Sequence, residues 1–167
     1  MSESKKKRWL RRLGELVVFL AVLGAVSWYQ SRDLVQGRAP ELSGVSVAGN
    51  PLKLRQWRGE PVLVHFWGTW CPVCSAEQGS IDAVAEDHRV LTVAMQSGDA
   101  ATLAQYLEEE GVSYPVLPDL EGSLARRYGV TAVPASFFLD PDGRVRFATV
   151  GYTTEWGMRL RLWWAGL

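Results

Sequence analysis

Two cysteines, Cys71 and Cys74, are all that the chain holds, and they stand as Cys71-Pro72-Val73-Cys74. They follow an apolar run and open a stretch with helical spacing. Proline suits the first position of a helix, where its missing N–H has no partner to lose. With Pro72 there, Cys71 is the N-cap and Cys74 the third helical residue, and side chains at those positions face each other. That spacing brings the sulfurs within disulfide reach without bending the backbone. An N-cap cysteine also meets unpaired N–H groups and the positive end of the helix, which stabilise a thiolate. The expected chemistry is thiol–disulfide exchange through a redox-active Cys71–Cys74 disulfide. Cys71 is the exposed nucleophile and Cys74, facing inward, resolves the mixed disulfide. A purely structural disulfide would close two residues and remove little chain entropy. A zinc centre needs four ligands, and the two histidines, His65 in mid-strand and His88 past the helix, do not give a finger spacing. No metal and no cofactor is expected.

The elements that must position this pair alternate along the chain. Val62 to Trp67 is nearly continuous in apolar residues, as a strand buried on both faces is. Residues 71–86 follow as a helix with Cys74, Ile81, Val84 and Ala85 on one face. Val90 to Met95 is a second buried strand, and Asp99 caps a helix that Gly111 ends. A short extended piece at Tyr114 to Leu117 and a short helix at Ser123 to Tyr128 come next. The strands Ala135 to Leu139 and Val145 to Val150 flank the turn Asp140-Pro141-Asp142-Gly143. Thr153 or Thr154 caps a last helix ending near Ala165, where Trp156, Trp163 and Trp164 are expected to pack. A small hairpin of Val45 to Val47 and Leu52 to Leu54 precedes all of this. The order implies an α/β domain over 45–167, with a mixed sheet flanked by helices.

The 167 residues are 47% hydrophobic and carry 18 basic and 18 acidic side chains, too apolar for a disordered chain. The zero net charge combines +5 over residues 1–12 with −5 over residues 33–167. After the basic cluster, Leu16 to Val26 is apolar on every face. The bases favour a cytoplasmic segment 1–12, a transmembrane signal anchor 13–31 and an outward-facing remainder. Trp9 and Trp28 are nineteen residues apart, about 29 Å of helix, close to the thickness of a bilayer core. A cleaved signal peptide, with Ala25 and Ser27 at the cut, is the alternative. Residues 32–44, with Gly37, Pro40 and Gly44, read as a linker without apolar period. The basic part is a topology signal, so no nucleic-acid partner is expected.

Val62 to Cys74 (VLVHFWGTWCPVC) resembles the active-site strand and motif of the thioredoxin superfamily. With Glu77 (WCPVCSAE) and the preceding hairpin, it looks like the membrane-anchored, extracytoplasmic TlpA, ResA and DsbE type. The Pro-Val pair with His65 looks most like the ScsD-like group. A second matching feature is Gly129-Val130-Thr131-Ala132-Val133-Pro134, and a third is the closing hairpin Asp140 to Val150. The resemblance covers roughly residues 41–165. It implies a thioredoxin-like fold and a cis Pro134 facing the cysteines. It also implies substrate docking at Trp70, Pro72, Val133 and Pro134, with the Val133 backbone pairing an extended substrate.

Two departures stand out. His65 occupies a strand position where thioredoxins carry an acid, and Gly79 stands where TlpA-like proteins usually have proline. His65 is a candidate relay for the Cys74 proton or else a hydrogen-bonded core residue, and Glu77 is a second candidate proton acceptor. The resemblance favours a reductase of protein disulfides at a bacterial cytoplasmic membrane, its domain in the periplasm or outside the cell. Its thiols would be recharged by a membrane electron carrier of the DsbD, CcdA or ScsB kind. An oxidase or isomerase is the alternative. A copper-handling protein of this fold would carry CxxxC and a distant histidine, whereas this chain has CxxC and no histidine after His88.

Overall fold

The computed structural model describes residues 32–167 together with Trp9, Arg12, Gly14, Glu15 and residues 17–19. The chain divides into two units, residues 1–32 and 33–167. Apart from those few residues, the expected segments 1–12 and 13–31 lie outside the described residues. Among the described residues, no helix is long and apolar enough to cross a membrane.

The strands of the second unit are, in chain order, β1 (Gly37–Arg38), β2 (Ser43–Val45), β3 (Pro51–Lys53), β4 (Val62–Trp67), β5 (Arg89–Met95), β6 (Val116–Asp119), β7 (Ala135–Leu139) and β8 (Arg144–Val150). Its helices are α1 (Pro72–Ala85), α2 (Ala100–Glu110), α3 (Ser123–Arg127) and α4 (Glu155–Ala165). Six strands form one sheet in the order β1-β8-β7-β4-β5-β6. Its central strand β4 is buried at every residue, which is why its sequence shows no alternation. β4 runs parallel to β5, which is parallel to β6. On its other side β4 pairs antiparallel with β7, followed by β8. The turn between those last two is fixed by Asp140, whose Oδ1 accepts from Asp142 N at 3.1 Å and Arg144 N at 2.8 Å. This is the mixed sheet flanked by helices that the resemblance implies.

Alternate residues of β4 feed two cores. Val62, Val64 and Phe66 pack with Leu91, Phe137 and Tyr128 on one face, where Ala125 of α3 also lies. Leu63 and Trp67 face the other way, among Ile81 and Val84 of α1 and Leu103 of α2. Met158 and Leu162 of α4 complete that second core. Asp99 caps α2 through Thr102 N, and Thr154, not Thr153, caps α4 through Gly157 N.

Three expectations change. Residues 32–44 are not a linker: Leu34 and Leu42 are buried in the first core, and β1 adds to the sheet against β8. These apolar residues show no period because each enters the core singly. Val35 N donates to Tyr128 O at 3.0 Å. The backbone passes so close that a Cβ at Gly129 (φ +71°) would run into the Asp33 carbonyl. The domain therefore starts at residue 33 rather than 45. Second, the small hairpin pairs β2 with β3, because Ser46 closes the turn by accepting from Asn50 N. Val47 leaves the hairpin, and its N–H donates to Val116 O at 2.9 Å. Third, Trp156, Trp163 and Trp164 are exposed. α4 buries Met158, Leu162 and Ala165; Trp156 and Trp163 fall on its other side, while Trp164, half exposed, sets its ring 6.2 Å from that of Phe147.

Candidate active site

Strand β4 delivers the chain to a short loop, Gly68-Thr69-Trp70, that is pinned to the end of β5. Thr69 N donates to Ser97 Oγ at 3.0 Å, and Trp70 Nε1 donates to Met95 O at 3.1 Å. A Cβ on Gly68 would meet the Trp70 indole at 2.7 Å, so glycine lets the ring fold back over the loop. Trp70 is still half exposed, beside exposed Pro72 and Val73.

Cys71 is the N-cap of α1, with extended backbone (φ −103°, ψ 108°) and Pro72 in the first turn. Its Sγ accepts from Cys74 N at 3.2 Å, the bond expected of a cap. The Cα atoms are 5.3 Å apart and the sulfurs are joined in a disulfide. Cys71 is less open than expected, at 6% exposure against 1% for Cys74. The loop before β7 lies against it: Cys71 Sγ is 3.6 Å from the Val133 carbonyl oxygen. The Val133–Pro134 peptide bond is cis, and Pro134 O accepts from Gly151 N at 2.8 Å. The structure thus gathers the disulfide, the Trp70 loop and the Val133–Pro134 bond at one end of β4.

His65 and Glu77 lie together in the core behind the disulfide. Both are buried, and His65 Nε2 is 4.0 Å from Glu77 Oε2. That separation is too long for a hydrogen bond. Glu77 Oε1 accepts from Thr153 N at 2.7 Å, while Oε2 has no hydrogen-bond partner among the described residues. His65 Nδ1 is 3.0 Å from Ser136 Oγ. Burial works on both groups in the direction that removes charge. It lowers the imidazole pKa to about 3. It raises the carboxyl to about 7, against the opposing pull of the Thr153 N–H. The contact is thus between a neutral imidazole and a carboxyl that titrates near neutrality, not a standing ion pair. Cys74 and Glu77 are three residues apart on α1 and both are buried, so they share a helix face.

Sequence reasoning missed Ser136 and Thr153, the partners of this pair. A signal for the first existed. Thr92, His65, Ser136 and Thr149 stand in register across β5, β4, β7 and β8, one polar row in largely apolar strands. Thr92 Oγ1 accepts from Trp67 Nε1 at 3.1 Å, and Thr149 Oγ1 lies 3.5 Å from Thr153 Oγ1.

The model of the AhpC/TSA family matches residues 35–148. A thioredoxin-like protein of Haemophilus influenzae is 28% identical over 163 residues, covering 96% of this chain and 97% of that one. The thiol-disulfide oxidoreductase ResA of Bacillus thuringiensis is also 28% identical, covering 84% of this chain and 87% of that one. Among solved structures, a thiol:disulfide interchange protein of the thioredoxin family from Chlorobium tepidum superposes with a TM-score of 0.67. It is 26% identical, over 80% of this chain and 98% of that one. With a family model spanning most of its length and a disulfide at the head of α1, the chain belongs to the AhpC/TSA family, as a thiol-disulfide oxidoreductase of thioredoxin-like fold.

Proposed function

We propose that this oxidoreductase is a membrane-tethered, extracytoplasmic reductase of protein disulfides. The observation that carries the reading is the Cys71–Cys74 disulfide at the N-terminus of α1, with Cys71 Sγ against the Val133 carbonyl beside Pro134. In the reduced protein the Cys71 thiolate attacks one sulfur of a substrate disulfide, and the other sulfur leaves as a thiolate. Cys74 then attacks Cys71 Sγ, the substrate's second sulfur departs, and the enzyme disulfide forms. Two electrons have passed to the substrate, which takes up two protons. A helix face shared with Cys74 and a carboxyl that titrates near neutral pH support Glu77 as the acceptor of the Cys74 proton. His65 stays neutral over that range, paired with Ser136, while the Thr153 N–H holds the carboxyl.

The reducing direction is supported by the likeness to ResA-type proteins, and the Pro-Val pair with His65 supports an ScsD-like relationship. A membrane carrier of the DsbD, CcdA or ScsB kind would return the electrons. Tethering at a bacterial cytoplasmic membrane, with the domain outside, is supported by the bases of residues 1–12 ahead of the apolar run Leu16 to Val26. Thiol alkylation of the protein taken directly from cells tests the direction. A mostly reduced pair is expected, and a mostly oxidised pair would make it an oxidase. Carbonate-washed membranes should retain the full chain, whereas release of a form starting near residue 28 would mean cleavage.

A further inference from the structure

Helix α4 has two apolar faces. Met158, Leu162 and Ala165 are buried against the domain. On the opposite side Trp156, Leu160 and Trp163 follow one another at helical spacing, and Trp164 flanks them at the margin, its ring 6.2 Å from that of Phe147, in a stripe about 100° wide. These four are between 54% and 81% exposed. Both arginines of the helix are engaged within the domain and leave the stripe uncharged. Arg159 bonds Glu155, Asp87 and the Ala83 carbonyl. Arg161 donates to Gly157 O, and its guanidinium lies over the Phe138 ring. A contiguous exposed apolar face of this kind marks a binding surface.

The chain reaches α4 from beside the disulfide, where Cys71 Sγ is 3.6 Å from Val133 O. Gly151 N donates to Pro134 O, and Thr153 N donates to Glu77 Oε1. Exposed Tyr152 stands between these two bonds, and Trp156 follows four residues later. The chain that leads into α4 is thus bonded to the Val133–Pro134 segment that lies against Cys71. From Trp156 to Trp164 the helix rises about 12 Å, the length of about four extended residues.

We infer that this stripe docks the apolar flank of the polypeptide whose disulfide Cys71 attacks. The partner is an extended chain carrying aromatic or large aliphatic residues within a few positions of its cysteine. Such docking rests on the proposed exchange with protein disulfides, and its ground is that the stripe follows within a few residues of Gly151, whose N–H is bonded to Pro134 O beside Cys71. A helix that lies in a bilayer interface presents basic residues to the headgroups beside its apolar face, whereas Arg159 and Arg161 are tied into the domain.

The test uses the full chain, reduced, in lipid nanodiscs, and two disulfide peptides that differ only in their flanks, Leu/Trp in one and Ser in the other. The wild type should exchange the apolar peptide on the order of tenfold faster. Trp156→Ser/Trp163→Ser should erase that difference, while a small aromatic disulfide reports whether the variant's thiols still react. Equal rates for the two peptides with wild type, or a preference that survives in the variant, would overturn the inference. So would a dimer in sedimentation, or binding to free vesicles, that the variant abolishes, since the face would then belong to a second copy or to lipid. Failure of wild type with the small disulfide would instead strike the thiol chemistry itself.

Discussion

Replacing Cys71 with alanine brings disulfide exchange down to the uncatalysed rate, whereas replacing Cys74 with alanine leaves the protein able to attack and unable to let go. The asymmetry follows from their places on one helix end. Cys71 Sγ takes the Cys74 N–H and lies at the Val133 carbonyl, at the edge of the protein surface. Cys74 is buried three residues inside α1, where it can reach only the sulfur of Cys71. A thiolate must attack along the line of the disulfide it breaks, and of the two only Cys71 has that approach from outside. The Cys74→Ala chain should therefore accumulate as mixed disulfides on a non-reducing gel. The Cys71→Ala chain should show none. Wild-type exchange by Cys71→Ala would end the mechanism, and an empty Cys74→Ala trap would count against protein substrates.

The second large effect is on stability against pH, and it separates Glu77 from His65. Glu77 has its folded pKa raised from 4.5 to about 7. Its contribution is full below pH 4.5 and is lost as pH rises to about 7. His65 has its folded pKa lowered from 6.5 to about 3. Its contribution is full above pH 6.5 and is lost as pH falls. Between pH 4.5 and 6.5 the two slopes oppose each other and cancel. Each is worth about 3 kcal/mol over that window, at about 1.36 kcal/mol per pH unit per proton. Relative to wild type, Glu77→Gln should therefore gain stability as pH rises from 4.5 to 6.5, and His65→Asn should lose it by a similar amount. Urea unfolding at a series of pH values reads both. Parallel curves for the three proteins would show that neither group is shifted by burial. Exchange rates should carry the same distinction, with an inflection near pH 7 that His65→Asn keeps and Glu77→Gln lacks.

What can be read from the sequence is local. Val62 to Trp67 announces a doubly buried strand by composition alone, and Asp140 to Gly143 announces a turn because its first aspartate can close it. The N-cap position of Cys71 follows from Pro72 next to it. What escapes depends on partners distant in the chain. Leu34 and Leu42 look like linker residues until β8 and α3 are there to receive them. Ser136 becomes the partner of His65 only once the register of β4 and β7 is known, across 71 residues of sequence. The tryptophans of α4 read as packed residues in the sequence, yet Met158, Leu162 and Ala165 make an equally good apolar stripe and take the inward side. Which of His65 and Glu77 titrates near neutrality is a matter of burial, and burial is not written in residue type.

The closing of the sheet's margins has a consequence for solubility. An open strand edge recruits other chains into its ladder, and the outermost strands of this sheet are β1 and β6. β1 contributes only Gly37 and Arg38, too short to template a neighbour. On β6, the Val116 carbonyl is already occupied by Val47 N–H, and Pro118 has no N–H to offer. Along these two margins, two molecules crowded together find no rail on which to zip, and the backbone that first looks like slack is part of what keeps them apart.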